Sequence, residues 1–243
     1  MVKRVDIVEQ SFQITELPEF QAETIECVGR DAYDSHDRKK AGGAPAFCRM
    51  LISRKPKPHT SVLEFSSLTV RIKTSRDVSH ELVRSRLASY LQSSQRFINY
   101  LKGIEFVNPA WADHIPAGYD IWKEQMREAE AQYAYMVGGF GMKPEQARTI
   151  LPNSTATIIN MRHNIRGWRE TLELRTGPGV YPEMRNLMAT ILAVFTYLRP
   201  EFFDDLFDGL DEKTRNSTIG KVAKLKAEQG DTFHLSAIEC IRP

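Results

Sequence analysis

The sequence has few cysteines, almost no net charge and no long apolar run. The three cysteines, Cys27, Cys48 and Cys240, stand at wide, unpatterned intervals, which argues against a disulfide framework or a zinc ribbon and suits a reducing cytoplasm. Lys and Arg total 33 against 31 for Asp and Glu, so any anion site has to be local. No stretch approaches the roughly 20 apolar residues of a membrane span, and the first residues lack the apolar core of a secretory signal. We therefore expect a cytoplasmic protein that binds neither membrane nor nucleic acid.

Several common catalytic signatures are also missing. The chain contains no G-x-G-x-x-G or Walker-type glycine loop and no G-x-S-x-G elbow, so the usual dinucleotide cradle, triphosphate cradle and hydrolase nucleophile are absent. Residues 80–84 (HELVR) resemble a zinc-binding H-E-x-x-H helix, but Arg84 replaces the second histidine ligand. We therefore predict no metal site.

The hydrophobic pattern predicts one α+β domain over residues 1–243, with more helix than sheet. Alternation of apolar and polar residues in 67–73 indicates a strand with one buried face. Asp77 and Asn164 are expected to cap helices, and Pro144 to begin one. We predict strands over 5–8, 63–74 and 155–163, and helices over 16–27, 77–87, 121–136, 145–150, 164–175 and 187–198. Residues 31–43 are expected to form a mobile loop, and the tail 211–243 a helix and a strand.

The densest polar cluster lies in residues 84–97 (RSRLASYLQSSQRF), which are rich in arginine and serine, with little acid nearby. A guanidinium group presents a planar set of donors that matches phosphate oxygens in pairs, and serine hydroxyls and backbone amides add further donors. This composition suits a nucleotide monophosphate or a flavin pyrophosphate. On composition alone, a solvated basic helix face is an equally good interpretation.

The motifs and their order resemble the flavin-dependent thymidylate synthase family. That family carries R-H-R-x7-S, and this chain has Arg84-Ser85-Arg86, seven residues, then Ser94. Residues 58–65 (PHTSVLEF) resemble the family's G-H-T-S-x-x-E-H, and 147–152 (ARTILP) its A-R-x-x-L-P element. Residues 164–166 (NIR) and 174–175 (LR) match N-x-R and L-R in the same order. The resemblance covers about residues 20–210 and leaves 211–243 as a C-terminal extension.

The resemblance implies a fold, a cofactor and two sets of site residues. Members of the family pack an antiparallel sheet with several long helices and form homotetramers whose active sites are shared among subunits. They bind FAD and a uracil nucleotide, here dUMP or UMP. The residues expected to contact FAD are His59, Ser61, Glu64, Arg84, Ser85, Arg86, Asn164 and Arg166. Those expected to bind the nucleotide are Glu81, Gln92, Ser93, Ser94, Gln95, Arg96, Arg148 from another subunit, and Arg175.

The implied reaction is methylation of carbon 5 of the uracil ring. In the family, methylenetetrahydrofolate supplies the one-carbon unit, NADPH reduces the flavin and the reduced flavin supplies hydride. Arg175, Ser94 and His59 are the expected catalytic residues, with Arg175 stabilising negative charge at the uracil carbonyl edge. The thiol-dependent thymidylate synthases use a Pro-Cys nucleophile, and none of the cysteines here follows a proline.

Several positions depart from the family pattern. Ser85 stands where the family has histidine, Gln92 where glutamate is usual, Glu81 where glutamine is common and Gly179 where a histidine is common. Because Gln92 removes a charge next to the sugar or phosphate, UMP is a candidate substrate, as in the UMP methylases of nucleoside antibiotic pathways. Two alternatives stay open: hydroxymethylation, in which water traps the one-carbon unit, and a non-catalytic protein that binds a nucleotide or nucleic acid with the arginine cluster.

Overall fold

The computed structural model describes residues 5–229 and confirms the α+β class. The strands are β1 Asp6–Val8, β2 Ser11–Glu16, β3 Ser67–Ser75, β4 Ser89–Gln92, β5 Glu105–Val107 and β6 Ala156–Asn164. The helices are α1 Gln21–Asp31, α2 Ala44–Ser53, α3 Arg76–Leu82, α4 Pro116–Gly138, α5 Pro144–Ala147, α6 Ile165–Arg175, α7 Pro182–Leu198, α8 Pro200–Asp208 and α9 Glu212–Gln229. The tail thus begins with the expected helix. The expected strand beyond it and Cys240 lie outside the described residues.

Two compact units make up the described part of the chain. The first comprises residues 5–11, 71–84 and 90–160, and the second residues 12–70, 85–89 and 161–229. The long strands β3 and β6 contribute residues to both units. None of the helices within 5–229 combines the length and the apolar character that crossing a membrane requires.

Strands β3 and β6 are the central pair of a four-stranded sheet with the order β2-β3-β6-β4. The Ile165 amide donates to the Ser66 carbonyl at one end of this pair, and the Arg76 amide donates to the Asn153 carbonyl at the other. The strands are therefore antiparallel, as expected. Alternate residues of β3 are buried, as the apolar alternation predicts. A separate two-stranded sheet pairs β1 with β5 in parallel.

The core of the first unit is built on α4. This helix buries Met126 and Tyr133 against Phe106 of β5 and Ala147 of α5. The Tyr133 ring meets Tyr100 edge to face with the centroids 5.7 Å apart, and its hydroxyl accepts a hydrogen bond from the Tyr100 amide at 3.4 Å. This packing fixes α5, and with it the position of the turn that follows at residues 148–150.

The core of the second unit holds α6 against the sheet. Trp168 of α6 is fully buried, and its indole N–H donates to the Leu68 carbonyl of β3 at 3.0 Å. Its ring packs edge to face on Phe195 of α7, with the centroids 5.2 Å apart. Burial of an indole of this size with its donor satisfied fixes the direction of α6 and therefore the position of its N-terminus.

Some predicted boundaries are wrong, for local reasons. Residues 11–16 form strand β2, and α1 begins only at Gln21, because Pro18 separates the two elements. Residues 61–65 form a 3-10 turn, so β3 begins at Ser67. Helix α3 ends at Leu82 and not at residue 87, and Ser75 rather than Asp77 occupies its N-cap position. Helices α2 and α8 were not predicted, and residues 31–43 include a 3-10 turn at His36–Arg38.

Candidate functional site

The segment that precedes β3 presents polar side chains from a tight turn. The His59 amide donates to the Leu51 carbonyl at 2.9 Å, which ties this segment to the end of α2. Ser61 begins a 3-10 turn that is anchored by Leu63, which is fully buried. With Leu63 inward, Glu64 and the neighbouring phenyl group project outward. His59, half-buried, therefore lies near two exposed polar residues in the same short segment.

The start of α6 is capped as the sequence predicts. The Asn164 side-chain oxygen accepts from the Gly167 amide at 2.8 Å, which satisfies one of the unpaired donors of the first helical turn. The Asn164 amide in turn donates to Nδ1 of His163 at 3.1 Å. His163 is buried, and its ring lies directly over Gly167, where a side chain would overlap it. This close packing of His163 on Gly167 was not foreseen from the sequence.

Two segments that the resemblance places at the flavin meet in the second unit. Arg166 Nη1 donates to a Glu64 carboxylate oxygen at 2.7 Å, across 102 residues of sequence. Its Nε donates to Glu170 at 3.0 Å, one helical turn later. The hydrogen bond from Glu64, followed by that from Glu170, raises the pKa of Arg166. The guanidinium is thus held at the exposed edge of α6 by two carboxylates.

Residues 84–89 cross from one unit to the other. In the second unit, Ser85 Oγ accepts from the Thr171 hydroxyl of α6 at 3.2 Å, so the serine at the histidine position touches the same helix as the predicted flavin residues. Arg86 is exposed, and Leu87 is 88% exposed. Arg84 belongs to the first unit, where its amide donates to the Glu81 carbonyl at the end of α3.

A cleft of about 400 Å³ opens beside Glu64 in the second unit. Phe20 and Phe65 line it and are 63% and 62% exposed, which is unusual for phenyl groups. Arg162 also lines it, paired with Glu16 at 3.1 Å. The cleft thus combines apolar walls with charged groups.

In the first unit, two of the predicted nucleotide residues lie at the end of β4: Gln92 is its last residue, and Ser93 follows it. Gln92 Nε2 donates to Ser79 Oγ at 2.7 Å and to Thr157 Oγ1 at 3.3 Å. The Ser93 amide donates to the Ile158 carbonyl at 2.8 Å, which extends the pairing of β4 with β6 by one residue. The side chain of Gln92 is therefore fixed by two hydroxyl groups.

A compact turn follows β4. The Ser94 carbonyl accepts from the amides of Phe97 and Ile98 at 3.1 and 3.0 Å, and Ser94 Oγ accepts from the Arg96 amide at 3.3 Å. Arg96 Nε donates to Glu145 of α5 at 2.9 Å, with both side chains exposed. The polar segment 93–96 is thus a defined turn and not one face of a helix, contrary to the alternative interpretation.

The remaining predicted residues divide between the two units. Glu81 lies half-buried on α3, and Arg148 lies exposed just after α5, both in the first unit. Arg175 is the last residue of α6, in the second unit, and is half-buried. The first unit therefore holds Arg84, Glu81, Gln92, Ser93, Ser94, Gln95, Arg96 and Arg148, and the second holds His59, Ser61, Glu64, Ser85, Arg86, Asn164, Arg166 and Arg175.

One charged residue near this turn was missed. Arg76, at the start of α3, donates from Nη1 to the Ser93 carbonyl and to Thr157 Oγ1, each at 3.2 Å. Burial lowers its pKa, the nearby Arg148 acts in the same direction, and Tyr100 opposes them. No sequence motif marks Arg76, because its hydrogen bonds join it to Ser93 and Thr157, which are distant in sequence.

Comparison with known proteins gives a consistent result. The family model described as thymidylate synthase complementing protein matches residues 14–201. The chain is 32% identical over 173 residues to the flavin-dependent thymidylate synthase of Geobacter sulfurreducens, covering 69% of this chain and 74% of that protein. It is 27% identical over 198 residues to the one from Corynebacterium glutamicum, covering 74% of this chain and 78% of the relative.

Solved structures share the fold at low sequence identity. A UMP/dUMP methylase, PolB from Streptomyces cacaoi bound with 5-Br dUMP, superposes with a TM-score of 0.71 and 18% identity, over 85% of this chain and 98% of that one. Thymidylate synthase X from Helicobacter pylori with FAD and dUMP gives a TM-score of 0.67 and 19% identity, over 81% and 98%.

Proposed function

The chain belongs to the flavin-dependent thymidylate synthase family, and from that premise we propose that it methylates carbon 5 of a uracil nucleotide with a bound FAD. It is an enzyme of the methyltransferase type. The proposal is supported by similar structures that hold FAD and dUMP or a brominated nucleotide. The observation that carries it is the contact between Glu64 and Arg166, because it joins the two separate segments expected at the flavin.

The donor set of the second unit fits FAD. This cofactor joins a diphosphate to a flat, largely apolar ring, so its site needs both cations and apolar surface. Exposed Arg86 and the amides at the start of α6 suit the diphosphate, and the cleft walls Phe20 and Phe65 suit a ring. The residues of this unit that would hold FAD are His59, Ser61, Glu64, Ser85, Arg86, Asn164 and Arg166.

Bound FAD would supply the hydride that completes the methyl group. The work of this chain is to hold the nucleotide, exclude water and stabilise charge on the uracil ring. Arg175 would hold the carbonyl edge, where negative charge develops as carbon 5 becomes nucleophilic. We propose that the turn of Ser94 and Arg96 holds the phosphate and sugar, with Glu81, Gln92, Ser93, Gln95 and Arg148, and that His59 lines the flavin ring.

The described cysteines support a mechanism without a thiol nucleophile. Cys48 is fully buried, and burial, with Glu201 and Glu26 adding to it, raises the pKa of its thiol to about 12. A thiol with that pKa stays protonated at neutral pH and is a poor nucleophile. Cys27 is exposed on α1 but follows Glu26 rather than proline. Activation of the uracil ring therefore falls to Arg175 in this proposal.

We propose UMP as a substrate alongside dUMP. Gln92, fixed by Ser79 and Thr157, places a neutral amide among the predicted nucleotide residues of the first unit, where the family usually has a carboxylate. With both of its N–H groups donated to Ser79 and Thr157, the amide can offer a ligand its uncharged side-chain oxygen, which can accept from a ribose 2′-hydroxyl without placing a negative charge beside the nucleotide. Turnover of UMP at background, with robust turnover of dUMP, would exclude this part of the proposal.

The cosubstrates and the assembly also belong to the proposal. We infer that methylenetetrahydrofolate donates the one-carbon unit, that NADPH reduces the flavin, and that a cytoplasmic homotetramer carries shared sites. Exposed Arg148 would then be contributed to the site of another subunit. Sedimentation of the purified chain tests the tetramer, and product mass separates methylation from hydroxymethylation.

The visible spectrum of the purified chain, first supplied with excess FAD and then freed of unbound flavin, is the first test. We expect oxidised-flavin absorption that changes when dUMP or UMP is added. Arg166→Ala should weaken FAD binding by about tenfold, because it removes a charged group at the site. Arg49→Ala, which removes another exposed, carboxylate-paired arginine of the same unit that does not line the cleft, is the matched control for general charge loss. A protein that is colourless once the unbound FAD has been removed would refute the proposal.

A further inference from the structure

Arg185, near the start of α7, joins the end of α6 to the start of α9. Its Nε donates to the Thr176 carbonyl at 3.0 Å, one residue beyond the end of α6 and next to Arg175. Its Nη2 donates to Oδ2 of Asp211, the residue before α9. The half-buried guanidinium thus links the helix that carries the predicted uracil residue to the C-terminal extension.

The end of α6 gains order from this contact. Carbonyl groups at the end of a helix have no partner within the helix, so helix ends fray unless other donors reach them. Arg185 supplies such a donor, and its positive charge lies at the negative end of the α6 dipole. Thr176 is buried, and its amide and hydroxyl both donate to the Leu172 carbonyl, at 3.0 and 2.8 Å. With its carbonyl also bonded, the residue next to Arg175 is fixed.

The loop 176–181 that follows offers little packing of its own. No described atom lies within 4 Å of the place where a side chain at Gly177 or Gly179 would begin. Gly179 stands where the family commonly has a histidine, so a side chain that is usual in this loop is missing. The Val180 amide donates to the Gly177 carbonyl at 3.2 Å, a bond that lies within the loop. Arg185 therefore contributes positioning that the loop does not.

Helix α9 holds Arg185 in turn. Asp211 Oδ1 accepts from the Thr214 amide at 3.0 Å, which caps α9, while its Oδ2 accepts from Arg185. Helix α9 packs against α7, with Thr218 buried. The family match ends at residue 201, so α9 lies outside it. A carboxylate at the start of this helix thus neutralises and directs the guanidinium that reaches the end of α6.

We propose that Arg185 and Asp211 are positioning residues for Arg175, and that α9 supports the active site through them. The inference rests on the proposed function in taking Arg175 as the residue that holds the uracil carbonyl edge. A donor stabilises developing charge only where it is already in place, and a displacement of about 1 Å can lower a rate by about a hundredfold. Freeing the end of α6 should therefore lower the rate of the chemical step more than the affinity for the nucleotide.

Turnover of dUMP by the full chain gives the first test, with FAD, methylenetetrahydrofolate and NADPH supplied and the rate expressed per bound flavin. Arg185→Ala should lower kcat by about tenfold and raise KM for dUMP by about threefold or less. Arg185→Lys, which keeps the charge beside Asp211, should recover part of the loss. An unchanged kcat for Arg185→Ala would overturn the inference.

A double change separates positioning from a general loss of structure. Arg185→Ala should weaken dUMP binding in equilibrium dialysis by about threefold, because the ring loses part of its contact with Arg175. In a chain that already carries Arg175→Ala, the same change should leave dUMP affinity unchanged, because Arg185 acts through Arg175. A loss of equal size in both chains would show a purely structural role and would overturn the inference.

Asp211→Asn isolates the contact with Arg185, and it decides the inference if Arg185→Ala does not fold. Asparagine caps helices as well as aspartate does, so α9 should keep its start while the ion pair is lost. We expect kcat to fall by about two- to fivefold. Asp204→Asn is the matched control, because Oδ1 of Asp204 also accepts from a backbone amide and its Oδ2 from Arg49; kcat should stay unchanged. Equal effects of the two changes would contradict a role for α9.

Hydrogen exchange separates this inference from the proposed function, because it needs no turnover. In Arg185→Ala, the Thr176 amide at the end of α6 should exchange about tenfold faster, while the Gly167 amide at its capped start stays unchanged. A chain that shows this change but forms no methylated product would refute only the function. A chain that methylates dUMP, but in which Arg185→Ala leaves exchange at Thr176 at the wild-type rate, would refute only the inference.

Discussion

Replacing Gly167 by alanine tests how the start of α6 is built. The His163 ring occupies the space where a side chain at Gly167 would lie, so the new methyl group overlaps a buried ring. Overpacking of this kind costs about 1–3 kcal/mol. Displacement of the ring also breaks the bond from the Asn164 amide to Nδ1, about 1 kcal/mol, whereas alanine regains about 1 kcal/mol of helix propensity. We expect Gly167→Ala to lower the free energy of unfolding by about 1–3 kcal/mol.

Urea unfolding at fixed protein and flavin concentration measures this loss. Gly138→Ala is the matched control, because a methyl group at that helical glycine meets no neighbouring atom, and we expect it to leave stability unchanged or slightly raised. Removing the ring should relieve the overlap, so the double variant with His163→Ala should be more stable than the sum of the single changes, by about 1 kcal/mol or more. Strict additivity, or a Gly167→Ala variant as stable as the wild type, would show that the ring does not limit this position.

Three further predictions follow from the packing of the second unit. Burial lowers the pKa of His163, so near this pKa the native state binds fewer protons than the unfolded chain. The free energy of unfolding should therefore fall as the pH drops below about 6.5. Urea unfolding between pH 7.5 and pH 5.5 measures this change. Burial and a thiol pKa of about 12 predict that a disulfide reagent at pH 8 labels Cys27 but not Cys48 until the chain unfolds, as peptide mass spectrometry would report. Arg169→Ala removes a two-point contact with Asp205 and a bond to a backbone carbonyl, and should cost about 1–3 kcal/mol in urea unfolding.

Each of these has its own control. His163→Gln lacks the titrating group, so its stability difference from wild type should shrink towards acid pH; a constant difference would contradict the assignment of His163 as neutral in the native state. Rapid labelling of native Cys48 would show that the thiol is accessible. Arg49→Ala removes an ion pair with Asp204 in which both side chains are exposed, and it should cost less than about 1 kcal/mol. An equally small loss for Arg169→Ala would show that burial of the Arg169 side chain does not strengthen its ion pair with Asp205.

Much of the fold follows from local signals. The helix over 164–175 was predicted from Asn164, and the structure confirms both the helix and the cap, because the bond from the Gly167 amide joins residues three apart. The alternation in β3 likewise reflects a period of two along one strand. Predictions failed where packing against residues distant in sequence determines the local structure. The strand predicted from residue 63 begins only at Ser67, because residues 61–65 form a turn in which Leu63 is buried.

The site shows the same division. The order of the motifs identified the family, and the family match at residues 14–201 confirms it. The sequence also gave reason to expect Glu64 and Arg166 near one ligand, but not that they touch each other. Arg76 was not singled out at all, because its contacts come from β4 and β6.

The sequence by itself determined the helix cap at Asn164, the buried face of β3 and the family, because each depends on residues that are close along the chain or on short segments in a fixed order. Only the tertiary structure decided that Glu64 holds Arg166, that Arg76 bonds to Ser93 and Thr157, and that Gly167 makes room for His163. The physical reason is that burial and ion pairing depend on distance in space, which folding sets by bringing together segments that lie many residues apart.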